Sequence, residues 1–200
     1  VKMAGGTPIG VPLKPPAIYK NTVKQRYHFD PAIDDWSVDF EALEAAFSEK
    51  TKIFMINTPH NPTGKIFSRD EIAEIAKILK KYPDVIVISD DCYEAQAFTD
   101  SGYFPRMAYL EELWDRTLTI GSGGKIFGCT GWKVGWAIGP EHLIKAVQGF
   151  HQWNTFCINT PGQVAIAESF DIARLPYEGY DNYFDYVRQD TIERRDLLTE

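Results

Sequence analysis

Short apolar runs, each followed by turn residues, recur along the chain and restrict its fold more than any other feature. The runs are PIGVPL, KIFMIN, VIVIS, TLTIG and VGWAIG, at residues 8–13, 52–57, 85–89, 117–121 and 134–139. Unbroken apolar runs of this length are typical of strands that are buried on both faces, as in a parallel sheet. We therefore predict a strand at each run.

Helical patterns lie between these runs. The clearest covers residues 69–81, where apolar residues repeat at helical spacing behind an S-x-x-E capping box made by Ser68 and Glu71. Alternating strands and helices predict an α/β fold with a mostly parallel, mixed sheet flanked by helices. Ligands of such sheets bind at the carboxyl ends of the strands.

Three further helices are predicted. One begins at Thr160, which we expect to cap it, with Pro161 in the first turn and Gln163 closing a capping box. Periodicity predicts the other two, at residues 39–49 and 141–152. The stretch from Lys14 to Asp35 shows no such pattern, and we expect a long loop there. No linker divides the chain, so residues 1–200 are predicted to form a single domain.

Composition and charge exclude several classes of protein. The chain is 44% hydrophobic and 24% charged, which excludes disordered and fibrous proteins. Acidic residues outnumber basic ones by 28 to 21, and the net charge of −7 argues against binding to nucleic acid or to an anionic membrane surface. The apolar runs are too short to span a membrane.

Cysteine and histidine usage indicates neither disulfides nor a metal site. The cysteines Cys92, Cys129 and Cys157 are odd in number, widely spaced and form no C-x-x-C, as expected of a reducing compartment. No H-x-x-x-H is present, so we expect no metal ligand set. We expect a cytoplasmic protein.

Polar residues collect directly after three of the predicted strands. The segments are TPHNPTGK at 58–65, DDCYE at 90–94 and SGGKIFGCTGWKVGW at 122–136. The third resembles a phosphate-binding P-loop superficially, but Thr119 and Ile126 occupy positions where that motif requires Gly and Ser or Thr. A nucleotide-binding function is therefore not supported.

The side chains in these segments suit an anionic aromatic ligand. They provide a carboxylate, a phenol, an amide, a hydroxyl and two amines, from Asp90, Tyr93, Asn61, Ser122, Lys125 and Lys133. Each has an ordinary structural alternative when taken alone, such as a turn residue or a solvated charge. Their occurrence at three strand ends makes a shared site the better interpretation.

The segments INTPHNPTGK, SDDCYE and TIGSGGKIFGCTGWKVGW resemble, in order and spacing, the signature segments of the class I pyridoxal-phosphate aminotransferases. The kynurenine aminotransferase and cysteine-conjugate β-lyase branch is the most similar. The resemblance covers almost the whole chain and implies the central part of the large, cofactor-binding domain of such an enzyme. An N-terminal segment and a C-terminal small domain would then lie outside this chain.

The resemblance implies a role for each candidate residue. Lys125 would form the Schiff base with pyridoxal 5′-phosphate and move the substrate's α-proton. Asp90, from the family's Asp-x-x-Tyr pattern, would keep the pyridine nitrogen protonated. Asn61 and Tyr93 would donate hydrogen bonds to the phenolic oxygen, and the phosphate would be bound by Ser122 and Lys133.

Two more expectations follow from the resemblance. The Asn61–Pro62 bond would be cis. Phe156 would reach across a homodimer to the neighbouring subunit's substrate pocket. The kynurenine-type enzymes often carry a histidine after this position, where this chain has Cys157. An ordinary core position is the alternative for Phe156.

The implied function is transfer of an amino group from an amino acid, such as kynurenine, glutamine or an aromatic amino acid, to a 2-oxo acid. A cysteine-S-conjugate β-lyase is an alternative, because it uses the same chemistry at the α-carbon. A cofactor-binding or dimer-forming module without catalysis is a second alternative, since the arginine that binds the substrate carboxylate in this family is not in the chain. The partners would be small molecules and a second copy of the protein.

Overall fold

The computed structural model describes residues 1–16, 35–97, 99 and 104–199. The predicted loop between Lys14 and Asp35 lies mostly outside these residues. The helices are α1 (Phe40–Ala46), α2 (Arg69–Lys80), α3 (Glu111–Trp114), α4 (Gly123–Ile126), α5 (Glu141–Asn154), α6 (Thr160–Ile172) and α7 (Tyr183–Thr199), and the strands are β1 (Ile53–Asn57), β2 (Ile86–Asp90), β3 (Thr117–Ser122) and β4 (Gly135–Ile138). Short 3₁₀ turns occur at Lys2–Ala4, Glu94–Gln96, Met107–Tyr109 and Thr130–Trp132.

The strands form one sheet in the order β1-β2-β3-β4. β1 pairs with β2 and β2 with β3 in parallel, whereas β4 is antiparallel to β3. Helices connect the parallel strands, as a parallel pairing requires. The predicted α/β fold with a mostly parallel, mixed sheet is confirmed.

The two faces of the sheet have different partners. Ile56 and Val87 lie on one face and belong to the buried core, together with Ile75 and Leu79 of α2. Side chains alternate along a strand, so the residues between them point to the opposite face. At the carboxyl end of that second face lie Asn57, Asp90 and Ile120, which are aligned across three neighbouring strands.

Two predictions about strands were wrong. Residues 8–13 form no strand, because Pro8 and Pro12 have no N–H to donate to a ladder. The nearest pairing is an isolated bridge between Lys14 and Ser37. Burial on both faces was also wrong for β1, where Ile53 and Met55 remain 54% and 61% exposed because the core with α2 covers only the other face.

The predicted helices are all present, with two changes at their ends. The capping box of Ser68 and Glu71 at α2 is confirmed, and α5 runs as predicted. The cap of α6 is Asn159 and not Thr160, because the Asn159 side chain accepts a 2.8 Å hydrogen bond from the Gly162 N–H. The helix predicted at 39–49 ends at Ala46, where the chain becomes extended.

Arg116 joins α2 to the amino ends of the strands. Its guanidinium donates hydrogen bonds to the carbonyls of Leu79, Tyr82, Pro83 and Val85 at distances of 2.7 to 3.2 Å. These carbonyls lie at the end of α2 and in the connection to β2, where regular helical hydrogen bonding ends. Those of Leu79 and Tyr82 also accept hydrogen bonds from the N–H groups of Tyr82 and Val85. Arg116 therefore satisfies polar groups at the edge of the sheet opposite to the predicted site.

Candidate active site

The last residues of three neighbouring strands define one edge of the sheet. Asn57 ends β1, Asp90 ends β2 and Ser122 ends β3. Asn57 is aligned with Asp90, and Asp90 with Ile120, two residues before Ser122. Because side chains alternate along a strand, Asn57, Asp90 and Ser122 share one face at this carboxyl edge. This is the place where the sequence predicted a ligand site.

Asn57 positions the loop that carries Asn61. Its side-chain amide donates a 2.8 Å hydrogen bond to the carbonyl of Asp90, and its side-chain oxygen accepts a 2.8 Å bond from the Asn61 N–H. The Asn61–Pro62 peptide bond is cis, as predicted, and so is Thr58–Pro59. Asn57 was not predicted as a site residue, although a polar residue at the end of an apolar run was a usable signal in the sequence.

Asn61, Tyr93 and Lys125 meet at this edge although they come from three separate loops. The Asn61 side-chain N–H group donates a 2.9 Å hydrogen bond to the phenolic oxygen of Tyr93. The ammonium nitrogen of Lys125 lies 5.6 Å from the centroid of the Tyr93 ring. The Asn61 amide carries two N–H groups and the Tyr93 hydroxyl keeps its own proton, so both side chains can still donate to a ligand.

The two neighbouring aspartates have different surroundings. Asp90 is partly exposed, and one of its oxygens accepts a 3.3 Å hydrogen bond from the Cys92 N–H. Asp91 points to the other face, is fully buried and accepts hydrogen bonds from Ser89 and Arg106. Asp90 is therefore the carboxylate with free acceptor sites at the edge of the sheet, and Asp91 is occupied by protein groups.

Burial changes the acidity of the groups next to Asp90. Burial raises the pKa of Asp91 to about 6, although the hydrogen bond from Ser89 and the charge of Arg106 favour its ionised form. Burial, followed by the interaction with Asp90, raises the pKa of Cys92 to about 12. The Cys92 thiol therefore stays protonated at neutral pH and is a poor nucleophile.

The turn that carries Lys125 is fixed by close packing. Ser122 caps the short helix α4, and its hydroxyl accepts a 3.4 Å hydrogen bond from the Lys125 N–H. Gln96 donates a 3.1 Å bond to the Lys125 carbonyl. A Cβ atom at Gly124 would come within 2.8 Å of the Thr130 Cα, so only glycine fits before Lys125.

Lys133 lies at the same edge of the sheet. It is exposed and has a left-handed backbone conformation, with φ 58°. It comes two residues before Gly135, which pairs with Ser122 across β3 and β4. The backbone places Ser122 and Lys133 near each other, as the predicted phosphate ligands require.

Phe156 is separate from the other predicted residues. It follows α5, has φ 69° and is 77% exposed. Among the described residues, no recorded contact joins it to Lys125 or Tyr93. Phe150 and Trp153 on α5 are also exposed, so Phe156 continues an apolar surface and is not a core residue.

Two surface cavities lie away from this edge. A cavity of about 680 Å³ surrounds Arg116 and His142 at the opposite end of the sheet. Another of about 460 Å³ lies between Glu94, Phe170 and Arg188. Neither is lined by Lys125 or Asp90, so the site is identified by its converging polar groups and not by cavity volume.

Neither a metal cluster nor a membrane-spanning helix occurs in the part of the chain that the structure describes. There, no group of three or more His, Cys, Asp or Glu side chains is arranged to hold a metal ion. In the same residues, every helix is too short or too polar to cross a membrane.

The fold and the donor set at its carboxyl edge define a class of protein. The chain belongs to the aminotransferase class I and II family, whose sequence profile matches residues 15–200. Enzymes of this family use pyridoxal phosphate, act on amino acids and oxo acids, and are typically dimeric.

Particular relatives are found in several organisms. The chain is 39% identical to kynurenine–oxoglutarate transaminase 3 from Homo sapiens over 200 residues, which are 99% of this chain and 41% of that protein. It is 44% identical to kynurenine–oxoglutarate transaminase from Dictyostelium discoideum over 170 residues, 84% of this chain and 38% of that protein. The chain thus spans less than half the length of these relatives.

Solved structures agree with these sequence matches. Bna3p from Saccharomyces cerevisiae has a TM-score of 0.85 and 36% identity, covering 99% of this chain and 44% of that one. N-succinyldiaminopimelate aminotransferase from Mycobacterium tuberculosis has a TM-score of 0.81 and 34% identity, covering 99% and 45%.

Proposed function

We propose that the protein is a pyridoxal-phosphate-dependent aminotransferase, which transfers an amino group from an amino acid to a 2-oxo acid. The observation that carries this proposal is the convergence of Asn61, Tyr93 and Lys125 beside the strand end that bears Asp90. Membership of the aminotransferase family supports it.

The donor set fits pyridoxal phosphate group by group. Lys125 offers an amine for the aldehyde, and Asp90 offers a carboxylate for the protonated ring nitrogen. Tyr93 offers an O–H donor and Asn61 an N–H donor for the phenolic oxygen. Ser122 and Lys133 offer a hydroxyl and an ammonium group for the phosphate, and a charged donor strengthens such a hydrogen bond.

When bound, the cofactor supplies an electron-withdrawing ring that stabilises the charge left after an α-proton is removed. The Lys125 amine would hold the cofactor's aldehyde, and its Nζ would be the base that takes up the proton from the substrate's Cα. The Asp90 carboxylate would favour a proton on the ring nitrogen by electrostatic attraction. Tyr93, whose hydroxyl accepts a hydrogen bond from Asn61, presents its ring to the Lys125 nitrogen.

The relatives support a particular pair of substrates. Their names contain kynurenine and oxoglutarate, and we propose these as amino donor and acceptor. A transfer assay with kynurenine and 2-oxoglutarate, run beside one that detects ammonia and pyruvate released from a cysteine S-conjugate, separates a transaminase from a β-lyase.

We also propose that the protein works as a homodimer, with Phe156 directed to the partner's substrate pocket. The exposed aromatic side chains Phe150, Trp153 and Phe156 support this assignment. Aromatic residues are enriched at protein interfaces, where they are buried from water.

Chemical trapping tests the proposed function directly. The purified protein is loaded with pyridoxal phosphate, reduced with borohydride, digested and mapped by mass spectrometry. We expect the pyridoxyl group on Lys125, the same result in the control variant Lys145→Arg, and no label at that site in Lys125→Arg. Lys145 is a suitable control because it is exposed and pairs with Glu141 on α5. A label elsewhere, or none in the wild type, contradicts the proposal.

A further inference from the structure

A single arginine forms hydrogen bonds on both sides of Tyr93 in the chain. Arg106 donates a 3.1 Å hydrogen bond to Asp91 and a 2.8 Å hydrogen bond to Glu94. These carboxylates lie on either side of Cys92 and Tyr93 in the chain. The two nitrogens of one guanidinium therefore span the segment that presents the Tyr93 phenol.

We call these two hydrogen bonds, from Arg106 to Asp91 and to Glu94, the clamp. Its near end, at Asp91, is anchored in the core. The Asp91 side chain is fully buried, its second oxygen accepts a 2.7 Å hydrogen bond from Ser89, and its backbone N–H donates to the Ile120 carbonyl. Arg106 is anchored as well, since its guanidinium lies 4.6 Å from the ring centroid of the buried Phe104. Both partners are thus held by groups outside the turn.

The far end of the clamp, at Glu94, restricts the turn itself. Glu94 begins the 3₁₀ turn Glu94–Gln96, and its N–H donates to the Asp91 carbonyl. Gln96, at the end of that turn, donates to the Lys125 carbonyl. Since a planar guanidinium fork holds its two acceptors at a set distance, Asp91 and Glu94 cannot separate while both bonds persist.

We propose that Arg106 is a positioning residue, which holds the Tyr93 phenol at Asn61 and Lys125 by clamping Asp91 to Glu94. This inference rests on the proposed function, because its consequence is the strength of the hydrogen bond that Tyr93 gives to the cofactor's phenolic oxygen. That bond stabilises the unprotonated imine at Lys125, so a displaced phenol raises the pH at which the imine loses its proton.

The test measures that pH by following the absorbance of the bound cofactor during a pH titration of the full protein. Tyr93→Phe is expected to move the midpoint upward by about half a pH unit to one unit, the equivalent of one hydrogen bond. Arg106→Gln is expected to move it in the same direction by a smaller amount. In Tyr93→Phe/Arg106→Gln the midpoint should stay where Tyr93→Phe alone puts it, because both changes act through one group.

The matched control is Arg194→Gln. Arg194 also forms a two-bond pair with an aspartate, Asp190, but it is exposed and lies on α7. The pH midpoint of the Arg194→Gln titration should equal that of the wild type. All variants are compared below their unfolding temperatures. If Arg106→Gln does not fold, Glu94→Gln weakens the bond between Arg106 and residue 94 by removing the acceptor's charge, and its midpoint is interpreted in the same way.

Each outcome decides the inference. The inference is wrong if Arg106→Gln lowers the unfolding temperature and leaves the midpoint pH unchanged, because the clamp then only stabilises the fold. The same holds for Glu94→Gln if that variant is used instead. A shift of equal size in the Tyr93→Phe background also contradicts it, because Arg106 would then act without Tyr93. A wild-type protein whose absorbance does not titrate contradicts the proposed function itself, and the inference with it.

Discussion

The side-chain amide of Asn61 donates a 2.9 Å hydrogen bond to the phenolic oxygen of Tyr93, 32 positions further along the chain. The two residues follow neighbouring parallel strands, and the alignment of Asn57 with Asp90 brings their loops side by side. Asn57 strengthens this arrangement because it contacts both the Asp90 carbonyl and the Asn61 N–H. The phenol is therefore oriented by contacts within the protein itself.

Removal of the Asn61 amide tests this orientation. We expect Asn61→Ala to lower kcat/KM for transamination about 5- to 30-fold, the equivalent of one or two hydrogen bonds. Gln189→Ala is the matched control, because its amide donates a hydrogen bond to Glu193, which lies on the same helix α7. Steady-state kinetics of both variants provide the measurement. Equal rates in the Asn61 variant and the wild type would show that the amide does not take part.

The adjacent aspartates should differ in their effect on catalysis. We expect Asp90→Asn to lower kcat about 100-fold or more, because a neutral amide stabilises the ring proton poorly. Asp91→Asn should lower kcat less than tenfold, since Asp91 is buried against Ser89 and Arg106. Rates measured at saturating cofactor compare the two. If Asp91→Asn lowered kcat more than Asp90→Asn, the contact with the ring nitrogen would belong to Asp91.

The sequence predicted the candidate site residues better than the contacts between them. Asn61, Asp90 and Ser122 follow three apolar runs, and parallel strands bring such residues to one edge. Their roles remain predictions from the family resemblance. The role of Arg106 could not be predicted from the sequence. Its contacts with Asp91 and Glu94 depend on the path that the chain takes after β2. Long-range contacts of a single side chain have no periodicity to detect.

The errors in the predicted fold also have local causes. The apolar content of residues 8–13 indicated a strand, but two prolines prevent a ladder there. Thr160 and Asn159 are both good caps, and the pattern alone did not decide between them. Asn159 is the cap because its side chain reaches the Gly162 N–H. Residue type therefore predicted that a helix begins here, while backbone geometry determined its first residue.

The raised pKa of Asp91 predicts a pH-dependent stability. The pKa rises from 3.8 to about 6 on folding, so the folded state binds more protons between these values. The contribution of Asp91 to the free energy of unfolding is therefore largest below pH 4 and declines as the pH rises to about 6, by at most about 3 kcal/mol. Urea unfolding of wild type and Asp91→Asn across this range isolates the difference, which should level off above pH 7. A difference that is independent of pH would contradict this prediction.

Arg116 should contribute to stability without contributing to catalysis. Arg116→Met removes the arginine donor from the carbonyls of Leu79, Tyr82, Pro83 and Val85. The carbonyls of Leu79 and Tyr82 keep a backbone donor, and we expect a loss of about 1–3 kcal/mol in the free energy of unfolding. Below its unfolding temperature, kcat should remain close to the wild-type value because Arg116 lies at the far edge of the sheet. Arg194→Met, which breaks an exposed pair, should lower the free energy of unfolding much less than Arg116→Met does. Similar losses in both variants would contradict this account.

The exposed aromatic side chains at α5 predict how the protein assembles. Phe150 is 72% and Trp153 87% exposed, and a charge at either position would have to be buried in a dimer interface. Phe150→Glu/Trp153→Glu should therefore yield a monomer by light scattering after gel filtration. Phe156→Ala should remain dimeric and raise KM. Ile172→Glu, on an exposed part of α6, serves as the control and should remain dimeric. If Ile172→Glu is monomeric while Phe150→Glu/Trp153→Glu remains dimeric, the interface lies on α6 instead.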